Sequence, residues 1–429
     1  MAYRRVRTTL LRIIAVAVLA ACSSGGGAPS SSGVVTSSAT TSAAASATTA
    51  APATSTAPAT TAAPATTTAP ATTTTVAKPA PQAFSTLGPG KYKVGVTTMT
   101  IKDATGTRPL TVDVWFPLKT GFAGEPHDYT LVPGTYYRSP AALSAKVTDI
   151  AGDGPFPLVV YSHGSGGLRY IASYYTEAIA SYGYVVIAPD HTGNTAVERL
   201  TGSSTDQATT AFNRPRDVSF VLDAILSADN PDVGTFASSI DPLKIAVTGH
   251  SFGGFTALAM ASGYSNSLGS VKPDPRVRAI VALAPAVGTG NDLLLSDANL
   301  AAIRVPTMVV VGTSDKTTPV EPNVTRLFKL GGASPLYELQ LKAAQHQSFT
   351  DICDYEKFLP TLSGVPPVII QTIASFAVEG CAPTDMPIER AKSLTDTFAI
   401  RFLESVFRNG PAISNASVTG VDDVLFDSK

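Results

Sequence analysis

Residues 244–261, KIAVTGHSFGGFTALAMA, constrain the fold of this chain more than any other segment. An apolar run leads into the pentapeptide GHSFG at residues 249–253, and a run of small helix-forming residues follows it directly. Gly-x-Ser-x-Gly between a strand and a helix is typical of a sharp turn that holds a serine clear of the backbone. A plain glycine turn can have the same five residues. The flanking strand and helix therefore carry the prediction that Ser251 is a nucleophile.

Short apolar runs and helical patterns alternate along residues 84–429. Two segments, 91–100 and 110–117, alternate between apolar and polar residues as half-exposed strands do. Runs typical of strands buried on both faces are residues 157–161, 185–188, 245–248, 279–283 and 307–311. Helical patterns cover residues 170–181, 216–227, 252–262 and 388–407. This alternation predicts an α/β domain with a mostly parallel central sheet flanked by helices, and reactive groups at the carboxyl ends of its strands.

The N-terminus has the pattern of an export signal. Residues 1–21 carry four arginines and no acidic residue, and they end in an apolar run at residues 13–21. That run is too short to span a bilayer core of ~30 Å. It closes on LAAC, which resembles the bacterial lipobox, in which the cysteine, here Cys22, is lipidated. We therefore expect an exported protein, lipid-anchored on the extracytoplasmic side of the cell membrane. The alternative is an ordinary secretory signal with a chance cysteine.

Residues 22–83 consist almost entirely of Ser, Thr, Ala, Pro and Gly. Such a segment cannot bury enough apolar surface to offset the entropy of ordering it, so it predicts a disordered linker. Without the four N-terminal arginines, the 31 basic residues become 27 against 32 acidic ones. This balance gives no electrostatic footprint for nucleic acid as a partner.

A nucleophilic serine needs a base, and the chain has five histidines. The order found in strand–turn–helix serine sites is Ser, then Asp or Glu, then His. His346 follows Ser251 and comes after residues 337–341, which predict a last strand, so it alone fits this order. His191, which follows the strand predicted at 185–188, could also approach the site, and a structural role for His346 is the alternative.

An acid should lie between the serine and the histidine at the end of a strand. Residues 307–311 predict a strand that runs into Gly-Thr-Ser and then Asp315. Asp315 is therefore placed to orient His346 and to stabilise its protonated form. It could instead be a turn residue that caps the next segment. Three other acids in the interval, none directly after a strand, are Asp292, Asp297 and Glu321.

Two backbone N–H groups are needed where negative charge develops during reaction at the serine. Phe252, the residue after the nucleophile, should supply the first. The second should come from an early strand end, where residues 157–161 run into the glycine-rich stretch SHGSGG at 162–167. Glycines let the backbone turn its amides into a site, and the N–H of Ser165 is the candidate. A plain glycine turn is the alternative.

Residues 347–387 lie outside the alternating pattern, between His346 and the last predicted helix. They contain Cys353 and Cys381, the two cysteines that remain if Cys22 is lipidated. An exported protein can keep a disulfide between them, although two free thiols are the alternative. An insertion that starts at a catalytic histidine begins beside the site. The hypothesis is a lid pinned by the disulfide, and the alternative is a packing extension remote from the substrate.

Five stretches of the chain are HGSGGLRY, IASYGYVVIAPDHTGN, NRPRDVSFVLD, IAVTGHSFGG and HQSFTD. Together they resemble the platelet-activating-factor acetylhydrolase family and its bacterial relatives, which are often labelled predicted dienelactone hydrolases. The resemblance implies an α/β-hydrolase fold and a serine esterase that needs no metal or other cofactor. It implies Ser251 as nucleophile, His346 as base and the amides of Ser165 and Phe252 as oxyanion hole. Its implied substrates are small-molecule or lipid esters with short or truncated acyl chains, such as platelet-activating-factor-like phospholipids.

The chain departs from this family at two places. The animal enzymes carry their acid at the end of the strand that comes after the helix behind the nucleophile. This chain has ALAP there, at 282–285, so Asp315 must take that role. Dienelactone hydrolases have a cysteine where this chain has Ser251. Residues 305–319 also resemble bacterial cutinases and polyester hydrolases, which usually lack the His-Gly-x-Gly loop. Cutinases, lipases and a non-catalytic surface binding lipoprotein remain the alternative functions.

Overall fold

The computed structural model of the protein describes residues 84–102, 106–132, 134–288 and 293–429. The predicted signal peptide at 1–21, the lipidation site Cys22 and the linker at 22–83 lie outside these residues. Across the described ranges, no helix is both long enough and apolar enough to cross a membrane.

The strands are β1 (Val94–Ile101), β2 (Leu110–Pro117), β3 (Pro126–Val132), β4 (Thr135–Ser144), β5 (Phe156–Ser162), β6 (Val185–Pro189), β7 (Ile240–His250), β8 (Tyr264–Asn266), β9 (Gly269–Val271), β10 (Val277–Leu283), β11 (Thr307–Gly312), β12 (Leu336–Leu341) and β13 (Val424–Ser428). The α-helices are α1 (Ser173–Ser181), α2 (Ala196–Thr201), α3 (Gln207–Leu226), α4 (Phe252–Ser262), α5 (Asp297–Ala302), α6 (Thr325–Leu330), α7 (Ile352–Phe358), α8 (Pro367–Ala377) and α9 (Ile388–Phe407).

Eleven of these strands form one sheet, in the order β13-β12-β11-β10-β7-β5-β6-β2-β1-β4-β3. Its six central strands, from β12 to β6, all run parallel to their neighbours. Strands β13 and β2 pair antiparallel on either side of this centre. The remaining pair, β8 and β9, forms a separate hairpin. The prediction of a mostly parallel central sheet is confirmed.

Consecutive residues of the central strands pack into two different hydrophobic clusters. In β7, Ala246 belongs to one cluster, whereas Ile245 and Val247 belong to the other. Helices α1 and α9 contribute to the first cluster, and α3 and α4 contribute to the second. Because successive side chains of a strand point to opposite faces, each face of the sheet is covered by helices. This burial on both faces is why the central strands contain continuous apolar runs.

Helix α3 begins earlier than its sequence pattern indicates, at Gln207 rather than at residue 216. The Asp206 side chain accepts the N–H of Thr209 at 2.9 Å and so satisfies one free donor of the first turn. Pro215 lies inside the helix, where it removes one backbone hydrogen bond without ending the helix. The helix therefore carries the residues before Pro215 along one face of the sheet.

The sheet brings four predicted site segments to one edge. Ser251 follows β7, Asp315 comes shortly after β11, and His346 comes shortly after β12. The loop that contains Ser165 follows β5. These four strands are parallel members of the same central group, so their carboxyl ends lie at the same edge of the sheet.

Candidate active site

Ser251 occupies a backbone conformation that few residues other than glycine adopt. Its φ is 57° and its ψ is −116°, between the end of β7 and the start of α4. Its N–H donates to the carbonyl of Leu283 at 2.9 Å, and its own carbonyl accepts the N–H of Ala286 at 3.0 Å. The chain after β10 thus fixes the turn from the side. Strain of this kind persists only where the surroundings over-determine it, and it clusters at functional sites.

The glycines beside Ser251 are required by the backbone of β5. A Cβ added at Gly253 would lie 1.8 Å from the carbonyl oxygen of Ser162, and one at Gly249 would lie 2.5 Å from the same oxygen. Both distances are far below any real contact, and both involve backbone that cannot move aside. The turn can therefore approach the strand end this closely only with glycine at both positions.

The structure brings together the three side chains predicted to react. His346 Nε2 lies 2.9 Å from Ser251 Oγ, and His346 Nδ1 lies 2.9 Å from Asp315 Oδ2. His346 and Asp315 are buried, whereas Ser251 is partly exposed. With Nδ1–H donating to the carboxylate, Nε2 is left free to accept the serine proton. This arrangement is able to activate a hydroxyl for nucleophilic attack.

Thr318 fixes the carboxylate of Asp315. Its N–H donates to Oδ1 at 2.7 Å, and its hydroxyl donates to Oδ2 at 2.9 Å. Burial acts to raise the pKa of Asp315, but hydrogen bonds from His346 and Thr318 outweigh it, so this pKa stays below its usual value. The carboxylate is therefore ionised throughout the neutral range. Thr318 was not predicted from the sequence, although its position three residues after an aspartate in a turn is typical of such side chain–backbone bonds.

The other acids weighed for this role are placed elsewhere or lie outside the described residues. Asp297 forms an ion pair with Arg326, and its side chain is 70% exposed. Glu321 accepts the hydroxyl of Thr325 at the surface. Asp292 lies outside the described residues.

His250, the residue directly before Ser251, holds the backbone of His346 by a hydrogen bond. Its Nε2–H donates to the carbonyl of His346 at 2.8 Å, and the two rings lie 4.6 Å apart between centroids. Burial and the neighbouring His346 lower the pKa of His250 to about 3, so its ring is neutral. A neutral donor keeps this contact constant over the working pH range. This role of His250 was not predicted from the sequence, since its partner lies far along the chain.

The loop after β5 lies against the nucleophile. A Cβ added at Gly164 would lie 3.5 Å from Cβ of Ser251, and Ser165 lines the same cavity as Ser251. Phe252 begins α4 directly after the nucleophile. Both predicted donor residues are therefore adjacent to Ser251, and their N–H groups remain the predicted oxyanion hole.

A second Ser–His–Asp arrangement lies nearby. Ser162 Oγ is 2.8 Å from His191 Nε2, and His191 Nδ1 is 2.9 Å from Asp217. Ser162 and His191 are wholly inaccessible, and Asp217 is 4% exposed. Burial is the main cause that lowers the pKa of His191 to about 4. No substrate can reach this serine, so hydrogen-bond geometry alone does not identify the reactive arrangement.

A cavity of about 340 Å³ opens at Ser251. The insertion at 347–387 supplies much of its apolar wall, through Ile352 and Tyr355 of α7 and Ile373 and Phe376 of α8. Strand β3 adds further apolar side chains to the wall. The insertion therefore contacts the site, and its action as a lid remains a prediction.

Cys353 in α7 and Cys381 after α8 form a disulfide, as predicted, with their Cα atoms 5.4 Å apart. The bridge joins the two cavity-lining parts of the insertion to each other. In the ranges that the structure covers, no group of three or more His, Cys, Asp or Glu side chains is placed to hold a metal ion.

The sheet order, the strained serine at the end of β7 and the helices on both faces give this chain an α/β-hydrolase fold. A solved structure of a ferulic acid esterase from Streptomyces cinnamoneus superposes with a TM-score of 0.58. It covers 81% of this chain and 99% of that chain, at 23% identity. At this identity the likeness shows the fold.

The resemblance predicted from the sequence is also confirmed. A sequence model described as platelet-activating factor acetylhydrolase, isoform II, matches residues 134–216. The platelet-activating factor acetylhydrolase of Canis lupus familiaris is 27% identical over an alignment of 236 residues, which covers 46% of this chain and 48% of that enzyme. Cutinase 2 of Thermobifida cellulosilytica is 29% identical over 162 residues, covering 38% of this chain and 49% of that protein. The chain thus spans less than half the length of these curated relatives.

Proposed function

We propose that this protein hydrolyses carboxylic esters through an acyl-enzyme formed on Ser251. The observation that carries the proposal is the hydrogen-bonded series from Asp315 through His346 to Ser251, which ends at an apolar cavity. The relatives named acetylhydrolase, cutinase and ferulic acid esterase support ester hydrolysis as the reaction class.

The reaction follows from the positions of these groups. Ser251 Oγ attacks the ester carbonyl carbon while His346 Nε2 accepts its proton. The carbonyl oxygen becomes negative and is stabilised by the N–H groups of Ser165 and Phe252. The C–O bond to the alcohol then breaks, and His346 returns the proton to the departing oxygen. A water molecule, deprotonated by His346, attacks the acyl carbon in the second half and releases the acid and Ser251.

The cavity supports short or truncated acyl chains as substrates. Its volume of about 340 Å³ lies near the lower end of the ~300–1,000 Å³ typical of ligand pockets. We propose small-molecule or lipid esters, including phospholipids like platelet-activating factor with an acetyl or truncated acyl group. The likeness to cutinases favours polyester hydrolysis as the second candidate. The wall supplied by α7 and α8 favours a small acyl group over a polymer chain.

Hydrolysis of p-nitrophenyl esters from acetyl to palmitoyl tests this proposal. We expect the highest kcat/KM on short chains and covalent labelling by a fluorophosphonate probe. A long-chain preference would favour a lipase or cutinase. A folded protein that hydrolyses none of the esters and does not react with the probe would instead support the non-catalytic binding lipoprotein.

Replacing Ile373 with tryptophan should lower kcat/KM for the longest accepted ester more than for the acetyl ester. Ile373 lines the cavity from α8, so added volume there occupies space that only a longer acyl chain needs. Val378, directly after α8, is 70% exposed, so Val378→Trp is the matched control. If both variants keep the wild-type profile across the ester series, the insertion does not shape the acyl site.

We also propose that the protein is exported and anchored through a lipid on Cys22. The Cys22→Ala variant should then leave the membrane fraction and incorporate no fatty acid label, because no other lipid attachment site is predicted. Cell fractionation with an alkyne fatty acid measures both effects, and Cys353→Ser is the control that should keep the label. Unlabelled wild-type protein in the medium would support an ordinary secretory signal.

A further inference from the structure

We propose that Arg214 is a positioning residue that directs the N–H of Ser165 toward the bound ester. The proposal rests on the function proposed above, because it concerns stabilisation of negative charge on the ester carbonyl oxygen. Arg214 lies in α3, outside the group of side chains that react. It does not itself line the cavity, so its effect must pass through the loop after β5.

Arg214 is wholly buried and directs its hydrogen bonds into that loop. Its Nη1 donates to the carbonyl of His163 at 2.5 Å, and its Nη2 donates to the carbonyl of Gly164 at 3.0 Å. Two side-chain oxygens, Ser162 Oγ at 3.3 Å and Asn194 Oδ1 at 2.6 Å, accept from the same two nitrogens. The guanidinium group therefore binds two consecutive carbonyl groups of the loop through hydrogen bonds.

A buried charge needs compensation, and here it comes from two backbone carbonyls and two uncharged side-chain oxygens. Among the described residues, no carboxylate lies within salt-bridge distance of Arg214; the nearby Asp217 pairs with Arg108 and His191. Burial lowers the pKa of Arg214 to about 9, against the attraction of Asp217, so the group stays charged at neutral pH. Carbonyl oxygens fixed by a charged donor are held more firmly than by a neutral donor.

The direction of the Ser165 amide follows from the planarity of the peptide. In a trans peptide the C=O and the following N–H point to opposite sides. The carbonyl of Gly164 points to Arg214 and also accepts from His163 Nδ1 at 2.7 Å and from the N–H of Gly167 at 3.1 Å. The N–H of Ser165 must therefore point away from the buried arginine, to the side on which Ser165 lines the cavity.

The same guanidinium group also contacts the second predicted donor residue. Its carbon lies 5.1 Å from the centre of the Phe252 ring, so Arg214 packs against both halves of the predicted oxyanion hole. Ser162, which also accepts from Arg214, is the end of the buried series from Asp217 through His191.

The test compares oxygen and sulfur esters in the full-length protein. Amide N–H groups bind a negative oxygen much better than a larger negative sulfur, so an intact oxyanion hole favours an ester over the matching thionoester. We expect Arg214→Met to lower kcat for p-nitrophenyl acetate by about 10²-fold, the loss typical of one oxyanion donor. KM should change much less than kcat, and the rate ratio of ester to thionoester should fall.

Two further variants separate this role from a merely structural one. Arg214→Lys keeps the charge but cannot bridge both carbonyls, so it should give an intermediate kcat and an intermediate ester-to-thionoester ratio. It also serves as the test if thermal melting shows that Arg214→Met does not fold. Arg108→Met breaks the pair with Asp217 without touching the loop, so it should lower the melting temperature and leave the ratio unchanged.

An unchanged ester-to-thionoester ratio in folded Arg214→Met or Arg214→Lys would overturn the inference. A fall in the ratio of equal size in Arg108→Met would also overturn it, because any disturbance of the buried network would then suffice. A wild-type protein that hydrolyses neither ester contradicts the proposed function itself, which is a separate result.

Discussion

Replacing Ser251 with alanine should abolish ester hydrolysis, with a fall in kcat of about 10⁶-fold, because the proposed acyl-enzyme forms on its hydroxyl. The Ser251 hydroxyl is bonded to His346, and without that bond His346 is still held by Asp315 and by the hydrogen bond from His250 to its carbonyl. The variant should therefore fold and still bind ester. Turnover of p-nitrophenyl acetate and fluorophosphonate labelling measure the two losses.

The matched control for this variant is Ser162→Ala. Ser162 has the same kind of histidine partner, at 2.8 Å in place of 2.9 Å, so bond geometry predicts equal reactivity for the two serines. The two serines differ in accessibility, because Ser162 is wholly buried whereas Ser251 lines the cavity, so we expect only Ser251 to react. Ser162→Ala should still be labelled by the probe. If Ser251→Ala retained the label and Ser162→Ala lost it, the assignment of the nucleophile would be wrong.

The sequence predicted those parts of the fold that local pattern determines. The helices at 252–262 and 388–407 begin and end where the pattern indicates, and Gly263 with a φ of 75° gives the first of them a sharp end. Strands β3 and β4 were not predicted. Part of each is exposed, and β4 is fixed by pairing with β1, which lies far from it in the chain.

Some residues of the candidate site could be predicted from the sequence and others could not. Chain order and strand ends were enough to select Ser251, Asp315 and His346, because a parallel sheet gathers its carboxyl ends at one edge. Arg214 was not selected, since its hydrogen bonds join α3 to a loop 50 residues away in sequence. A contact of this kind has no periodicity or spacing in the sequence that would reveal it.

The second large effect is expected for Asp315→Asn, with a fall in kcat of about 10⁴-fold. The N–H of Thr318 donates to Oδ1 of the native carboxylate, so the amide oxygen of the variant should take that position and its NH₂ should face His346. An amide NH₂ facing His346 would donate to Nδ1, which moves the ring proton to Nε2. His346 could then no longer accept the proton of Ser251, although every heavy atom keeps its place. The fall should appear in kcat, with KM little changed.

Thr318→Val is the control for this variant, because it removes the hydroxyl bond to the carboxylate but keeps the charge and the backbone N–H donor. Its loss of activity should be far smaller than that of Asp315→Asn.

Asp315 also makes the stability of the protein depend on pH. Its pKa lies below its usual value, so the stabilising effect of its ionised form is complete above pH ~4 and is lost as the pH falls through the lowered pKa. Wild-type melting temperature should therefore fall in strong acid through this group, whereas Asp315→Asn lacks that contribution. An Asp315→Asn enzyme with near wild-type kcat would show that another group orients His346.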